Sequence, residues 1–250
     1  MSYTIAVAGK GGMGKTTIAA AIIESMRRKG MKPILAVDAD PNSTLGDWLG
    51  IKCSCTVADI IEETKGLRNL PEGVSKPAHL QFQIQRTLVE STGIDLLVMG
   101  RPEGPDCYCM ANNMLRGYIT ELAKNYPYVV LDNEAGMEHL NRKTTQNIDA
   151  LLLVSDPTRI GLRTTKNIKE LIDKLTFLTI KKKYLILNKS ENINSEFGAE
   201  IKDTGLELVG SVPVEKELQR LELEGKPISG LPDTSPFMKA VGEIVERIIK

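Results

Sequence analysis

A glycine-rich stretch, Gly9-Lys10-Gly11-Gly12-Met13-Gly14-Lys15-Thr16-Thr17, follows an apolar run and precedes a helical pattern. Glycines in such a loop let successive backbone N–H groups close around phosphate oxygens. The lysine before the threonines reaches the β- and γ-phosphates, and the first threonine hydroxyl can bind Mg²⁺. We therefore expect the phosphates of a nucleotide to be bound by Gly9, Gly11, Gly12, Met13, Gly14, Lys15, Thr16 and Thr17.

The residues on either side of this loop have the pattern that phosphate binding requires. Tyr3–Ala8 is a short apolar run typical of a buried strand. Thr16–Arg28 has apolar residues at helical spacing and basic residues in its last turn, as a helix does. A glycine-rich turn without a ligand would leave Lys15 and Thr16 unexplained, so the pattern favours a phosphate-binding loop.

Lys10 is one lysine more than nucleotide binding requires. An ammonium so near the start of the loop cannot easily fold back onto the phosphates that its own chain binds. We predict that Lys10 contacts a nucleotide held by a second copy of the chain, which makes the protein an ATP-linked homodimer. Lys10 and Lys15 are both candidate catalytic residues.

Length and charge narrow the class of protein. With 250 residues, 42% of them hydrophobic, we expect a single α/β domain over residues 1–250. Lys and Arg together number 32, as do Asp and Glu, so no overall basic field favours nucleic acid. No apolar stretch approaches the roughly 18 to 20 residues that span a bilayer, and the first residues do not resemble a signal peptide. We expect a cytoplasmic protein with no nucleic-acid partner and no stable membrane association.

Apolar runs alternate with helical patterns along the whole chain. This alternation implies crossover connections, which give a doubly wound, mostly parallel sheet with helices on both faces. Ligands of such sheets bind at the carboxyl ends of the strands. The predicted strands are Tyr3–Ala8, Pro33–Val37, Ile94–Met99, Tyr128–Leu131, Ala150–Val154, Tyr184–Leu187 and Leu206–Val209. The predicted helices are Thr16–Arg28, Thr56–Thr64, Leu80–Glu90, Met114–Lys124, Thr164–Leu175, Glu196–Asp203, Glu215–Glu224 and Pro236–Lys250.

The last helical segment is amphipathic. Its apolar face carries Phe237, Val241, Ile244, Val245 and Ile248. A membrane-targeting helix has such a face, but its polar side is usually basic, and here the polar side mixes acids and bases. The sequence therefore favours a closing helix that packs on the sheet.

Three aspartates follow predicted strands. Asp38 and Asp40 come after the second strand, and Asp132 ends the strand Tyr128–Leu131. A lone aspartate after a strand is usually a helix cap or a turn residue, but three beside a phosphate loop indicate hydrolysis of ATP. We assign Asp132 to the outer Mg²⁺ shell with Thr16, Asp40 to orienting the attacking water, and Asp38 to the metal as a second carboxylate.

The base-binding residues give a weaker signal. Asn188–Glu191 (Asn-Lys-Ser-Glu) follows a strand as the guanine-reading Asn-Lys-x-Asp does, but a glutamate replaces the aspartate that would accept the guanine N–H donors. Adenine is therefore favoured. We expect Asn188 to bind the base edge and the loop at Pro213 to cover the base, with a simple turn asparagine as the alternative.

These residues together resemble the deviant Walker A ATPases, the class of MinD, ParA and the nitrogenase iron protein. The matching elements are Lys10 with Lys15, the segment Asp38–Pro41 as a first switch and Asp132–Gly136 as a second switch. The resemblance covers nearly the whole chain and implies the fold of P-loop NTPases. It also implies that two protomers sandwich two ATP molecules, that the early lysine crosses to the partner's nucleotide, and that hydrolysis resets the dimer.

Within that class the chain is most similar to the CooC-type nickel-insertion ATPases, with the AcsF type nearly as close. The residues that carry this likeness are Cys107-Tyr108-Cys109, Asn112 and Glu134–Leu140. The likeness implies that the chain binds nickel and that its partner is apo carbon monoxide dehydrogenase or apo acetyl-CoA synthase.

Cys107 and Cys109 lie one residue apart, a spacing that cannot form a disulfide without severe strain. Both can bind one soft metal ion, but two thiolates leave Zn²⁺ or Ni²⁺ undercoordinated. A second protomer would supply two more sulfurs, so the homodimer predicted from Lys10 would complete a four-thiolate site. The alternative is that both cysteines only pack in a loop.

Other observations leave alternatives open. Cys53 and Cys55 have the same spacing, but small partly buried residues before a helix explain them better than a second metal site does. An iron–sulfur carrier resembling the nitrogenase iron protein is a second candidate, although the second switch, Asp132–Leu140, contains no cysteine. A MinD-like positioning ATPase that acts on a membrane is a third.

Overall fold

The computed structural model describes residues 2–66, 76–101, 117, 119–134, 147–190 and 197–249. The described strands form one sheet in the order β3-β4-β2-β5-β1-β6-β7-β8. All neighbouring strands are parallel except β3 and β4. The strands are β1 Tyr3–Gly9, β2 Ile34–Ala39, β3 Val89–Glu90, β4 Ile94–Val98, β5 Tyr128–Asn133, β6 Asn147–Ser155, β7 Thr179–Asn188 and β8 Glu207–Val212. The predicted doubly wound, mostly parallel sheet is confirmed.

Helices cover both faces of the sheet. They are α1 Lys15–Arg28, α2 Leu45–Leu49, α3 Val57–Gly66, α4 Lys76–Gln85, α5 Arg159–Asp173, α6 Gly198–Asp203, α7 Lys216–Glu224 and α8 Pro236–Ile248, and residues 119–123 are helical as well. One apolar core contains side chains of α1, α2, α7 and α8, and the other contains side chains of α3, α4, α5 and α6. Strand β1 contributes to both cores because its side chains alternate, Ile5 and Val7 on the α1 side and Ala6 and Ala8 on the other.

The structure differs from the sequence prediction at short elements. Helix α4 ends at Gln85, whereas a helix was predicted to Glu90. The prediction was wrong there because Val89 and Glu90 pair with the edge of β4 as a short antiparallel strand. Helix α2 was not predicted, since five residues carry too little periodicity for a sequence pattern.

Helix α8 closes the fold. Its apolar residues Phe237, Val241, Ile244, Val245 and Ile248 are all buried, and the helix packs against α1 and β8. Burying a side chain of this size stabilises the fold by up to about 1.5–3 kcal/mol. The predicted packing of this helix on the sheet is confirmed. Within the described ranges, the structure has no helix with the length and apolarity to cross a membrane.

Candidate active site

The carboxyl ends of β1, β2 and β7 open into a cleft of about 540 Å³. The phosphate loop forms one side of the cleft, and the segments after β2, β5, β7 and β8 form the rest together with residues of α2, α7 and α8. Of the residues predicted from sequence, Gly11, Gly12, Gly14, Lys15, Thr16, Thr17, Asp40, Asn188 and Pro213 line this cleft. The fold therefore brings the phosphate loop, the first switch and the base-binding candidates to one place.

The phosphate loop depends on glycine at two positions in particular. Gly9 ends β1 at a φ of +148°, where a Cβ atom would collide with the carbonyl oxygen of Val154 on β6. Gly14 has a φ of +81° and precedes the first residue of α1, and a Cβ atom there would lie 2.5 Å from Asn188 Nδ2. The first turn of α1 contains no acidic residue. The positive end of this 14-residue helix is therefore free to attract an anion.

The two lysines of the loop have different surroundings. Lys15 starts α1 and is 6% exposed, and its Nζ lies 3.5 Å from the backbone oxygen of Lys10. Lys10 itself is exposed and does not line the cleft of its own chain. This placement is compatible with the predicted contact of Lys10 with a partner's nucleotide, which stays a prediction.

Asp38 is the end point of a small hydrogen-bond network. Its side chain is fully buried. One carboxylate oxygen accepts from the backbone N–H of Leu45 at 2.9 Å, and the other accepts from the N–H of Asp40 at 3.2 Å. Burial raises the pKa of Asp38 to about 6, although these two backbone donors oppose the rise. Asp38 therefore ties the end of β2 to the start of α2.

Asp132 lies directly beside Asp38, as its register partner on β5. It is fully buried, and no donor in the described part of the chain makes a hydrogen bond of normal geometry to either oxygen. Burial raises its pKa to about 7, while the nearby Thr16 hydroxyl and Lys15 ammonium oppose the rise. The buried Asp132 carboxylate and the Thr16 hydroxyl together are an oxygen donor set that fits Mg²⁺.

Asp40 lines the cleft and is partly exposed. One of its carboxylate oxygens accepts two hydrogen bonds from Asn42, one from the backbone N–H and one from the side-chain amide, each at 2.9 Å. No hydrogen bond between Asp40 and the phosphate loop is present in the described residues. Asp40 therefore belongs to the first switch segment and reaches the cleft from that side.

Asn188 does more than sequence reasoning indicated. Its side-chain N–H donates to the backbone oxygen of Met13 at 2.8 Å, and its side-chain oxygen accepts from the N–H of Lys189 at 2.9 Å. The amide thus ties the end of β7 to the phosphate loop and keeps one N–H and one lone pair for other contacts. Its role in binding the base stays a prediction.

The cleft is also lined by residues that the sequence analysis did not connect with a binding site. Trp48 on α2 and Phe237 on α8 line it. Glu215 also lines it, and its carboxylate accepts hydrogen bonds from the backbone N–H of Phe237 at 3.0 Å and from the hydroxyl of Ser235. Trp48 is the only tryptophan of the chain, which is the one signal that could have drawn attention to it.

The structure describes only one of the two cysteine pairs. Cys107 and Cys109 lie outside the described residues, as do residues 135–140 of the second switch. Cys53 and Cys55 are partly buried free thiols just before α3, and Cys53 donates to the backbone oxygen of Cys55 at 3.0 Å. Burial and then the charge of Asp59 raise the pKa of Cys55. The described ranges contain no group of three or more His, Cys, Asp or Glu side chains that could hold a metal ion.

Known proteins resemble this chain over most of its length. An uncharacterized ATP-binding protein of Methanocaldococcus jannaschii is 44% identical over 252 residues, which cover 98% of each chain. The carbon monoxide dehydrogenase accessory protein CooC of Rhodospirillum rubrum is 30% identical over 234 residues, 88% of this chain and 87% of CooC.

Solved structures share the fold. The septum site-determining protein MinD of Pyrococcus horikoshii, solved in complex with Mg-ADP, has a TM-score of 0.72 at 22% identity and covers 100% of this chain and 97% of MinD. The sequence model of the CobQ/CobB/MinD/ParA nucleotide binding domain matches residues 4–228. With the phosphate loop and the aspartates at their strand ends, the chain belongs to this CobQ/CobB/MinD/ParA family of ATPases.

Proposed function

We propose that this protein is a homodimeric, ATP-hydrolysing metallochaperone for nickel. Cys107 and Cys109 of two protomers bind Ni²⁺, or Zn²⁺ in its place, and the protein supports nickel insertion into apo carbon monoxide dehydrogenase or apo acetyl-CoA synthase. The observation that carries this proposal is the 30% identity to CooC over 88% of the chain, joined to the Cys-x-Cys pair. Residues 1–250 act as a single ATPase domain.

The cleft supplies the parts that ATP hydrolysis needs. Backbone N–H groups of the glycine loop hold the phosphates, and Lys15 neutralises them. Thr16, Asp132 and Asp38 would hold Mg²⁺, which when bound neutralises charge on the β- and γ-phosphates. Asp40 orients the water that attacks the γ-phosphorus while the bond to the β-phosphate oxygen breaks and ADP leaves. Lys10 of each protomer supplies a further cation to the nucleotide of the other.

Two features weigh against the other candidate functions. A membrane-acting ATPase would need a free apolar helix face, and the apolar face of α8 is buried against α1 and β8. An iron–sulfur carrier would need a cysteine near each switch, and the second switch, Asp132–Leu140, has none. Neither feature concerns nickel binding, so the proposal is tested by measuring Ni²⁺ binding in cysteine variants.

The chain offers a matched control for that test, because it has two cysteine pairs of the same spacing. Titration calorimetry with Ni²⁺ should give one ion per two chains for the native protein. Cys107→Ala or Cys109→Ala should weaken the affinity by at least about 100-fold, since each removes two of the four sulfurs of a dimer. Cys53→Ala and Cys55→Ala should leave both stoichiometry and affinity unchanged, and all four variants should still bind ATP.

Two outcomes would contradict the proposal. One is unchanged Ni²⁺ affinity in both Cys107→Ala and Cys109→Ala. The other is a native protein that binds nickel with the expected stoichiometry but, in the presence of ATP, accelerates the activation of neither apoenzyme. The first outcome rejects the metal site, and the second rejects only the delivery role.

A further inference from the structure

The five residues between β2 and α2 form a tightly bonded loop around Asp40. The loop is held at both ends by the buried Asp38, which accepts from Asp40 N–H and Leu45 N–H. Inside it, the backbone oxygen of Asp40 accepts from the N–H of Ser43 at 3.0 Å, and Ser43 adopts a φ of +53°. Such a left-handed conformation is uncommon for a residue other than glycine and is kept only where surrounding bonds enforce it.

Asn42 stands at the centre of this loop and is exposed at the cleft. Both of its N–H donors, backbone and side chain, go to the same carboxylate oxygen, Asp40 Oδ1, at 2.9 Å each. Two donors on one oxygen fix the rotation of the Asp40 carboxylate about its Cβ–Cγ bond. The second oxygen, Oδ2, receives no hydrogen bond from the described residues.

We propose that Asn42 is a positioning residue for ATP hydrolysis: it holds Asp40 Oδ1 so that Oδ2 is presented to the attacking water. This inference rests on the proposed role of Asp40 in orienting that water. In this role Asn42 acts through Asp40 and not on the phosphates.

An exposed asparagine contributes little to the core, so a purely structural role would be small. A carboxylate that must hold a water in line gains from being fixed before the nucleotide arrives, because the water then needs no further ordering. Asn42→Asp has the same shape but replaces the side-chain donor by a second carboxylate, which repels Asp40 and turns it. Asn42→Ala removes the side-chain donor alone, and Asn42→Ser offers a hydroxyl that can replace it.

The test compares steady-state ATP hydrolysis of these three variants with that of the native protein. We expect kcat to fall about 10-fold in Asn42→Asp and about 3- to 5-fold in Asn42→Ala, with KM for ATP within about 2-fold of the native value. Asn42→Ser should restore kcat to within about 2-fold. Asn125→Asp, the same exchange at an exposed turn before β5, is the control and should have native kinetics.

A double-mutant cycle separates positioning from structure. In an Asp40→Ala background the Asn42 exchanges should cause no further loss of the residual kcat, because the group that Asn42 positions is gone. The proposal is overturned if kcat is unchanged in both Asn42→Asp and Asn42→Ala, if KM rises while kcat does not, or if the loss is as large without Asp40. Native kcat in Asp40→Ala would instead reject the hydrolytic role of Asp40, so the two failures are distinguishable.

Discussion

Asp38 at the end of β2 and Asp132 at the end of β5 are register partners, and both side chains are fully buried. Their surroundings nevertheless differ. Asp38 accepts two backbone hydrogen bonds from its own switch loop, whereas Asp132 accepts none of normal geometry in the described part of the chain. Burying a carboxylate without a hydrogen-bond donor lowers the stability of the fold, so a function of the carboxylate is a better explanation for Asp132 than stability. Asp38 therefore fixes the switch loop in addition to its proposed place at the metal, whereas the described backbone leaves both oxygens of Asp132 to its proposed role at Mg²⁺.

The largest expected effect is on activity at Asp132. Asp132→Asn should lower kcat for ATP hydrolysis by about 100-fold or more, because a neutral amide no longer balances Mg²⁺ near the phosphates. The free energy of unfolding without nucleotide should stay the same or rise, since burial favours the uncharged form of Asp132, whose pKa is raised to about 7, and the amide is uncharged. A Mg²⁺ titration of ATP hydrolysis, together with urea denaturation, checks both statements. Native kcat at saturating Mg²⁺ would remove Asp132 from the metal site.

The next effect is smaller and concerns stability: the exchange at Asp38 should destabilise the fold, whereas the exchange at Asp132 should not. Asp38→Asn keeps the shape but turns an amide N–H₂ toward one of two backbone donors, Leu45 N–H or Asp40 N–H. We expect the free energy of unfolding to fall by about 1–2 kcal/mol, the cost of one hydrogen bond lost in a buried place. Urea denaturation without nucleotide measures it, with Asp132→Asn as the matched control. Equal stability changes in the two variants would mean that the comparison is wrong.

The smallest effect is a dependence of stability on pH. The pKa of Asp132 is raised from 3.8 to about 7 and that of Asp38 from 3.8 to about 6. Between pH 6 and 7 folded Asp132 holds most of a proton that the unfolded chain has released, and folded Asp38 holds a smaller share. The free energy of unfolding without nucleotide should therefore fall as the pH rises from 6 to 7, by about 1 kcal/mol.

Two variants test which group causes this slope. Asp132→Asn should remove most of the slope between pH 6 and 7. Asp38→Asn should reduce the slope without abolishing it, because the charge of Asp38 contributes to the raised pKa of Asp132. A slope that survives in Asp132→Asn belongs to another residue, and a stability that rises with pH in this interval contradicts the raised pKa of Asp132.

The central part of the fold could be predicted because its signals are local. Tyr3–Ala8 and Thr16–Arg28 were predicted, and the structure has Tyr3–Gly9 and Lys15–Arg28. Strand β7 shows where local signals end. It was predicted as Tyr184–Leu187, but it begins at Thr179, because a lysine-rich segment that carries no apolar run pairs in register with β6. The first residues of β7 are a strand because they pair with β6, and a local sequence pattern does not show which strands will be neighbours.

The candidate site divides in the same way. Gly11, Gly12, Gly14, Lys15 and Thr16 could be located from their spacing alone, and all of them line the cleft. The bond from Asn188 to Met13 joins residues 175 positions apart, so no local pattern contains it. The difference between Asp38 and Asp132 was equally hidden, since both are aspartates at strand ends and only their hydrogen-bond donors distinguish them.

One aromatic side chain makes these experiments simpler to follow. Trp48 is the sole indole of the chain, it lines the nucleotide cleft, and its helix α2 starts at Leu45, whose N–H is bound by Asp38. Its fluorescence emission comes from one position only and responds to the polarity around it. The native protein therefore contains its own optical reporter for nucleotide binding in the cleft and for changes around α2, and no dye has to be attached.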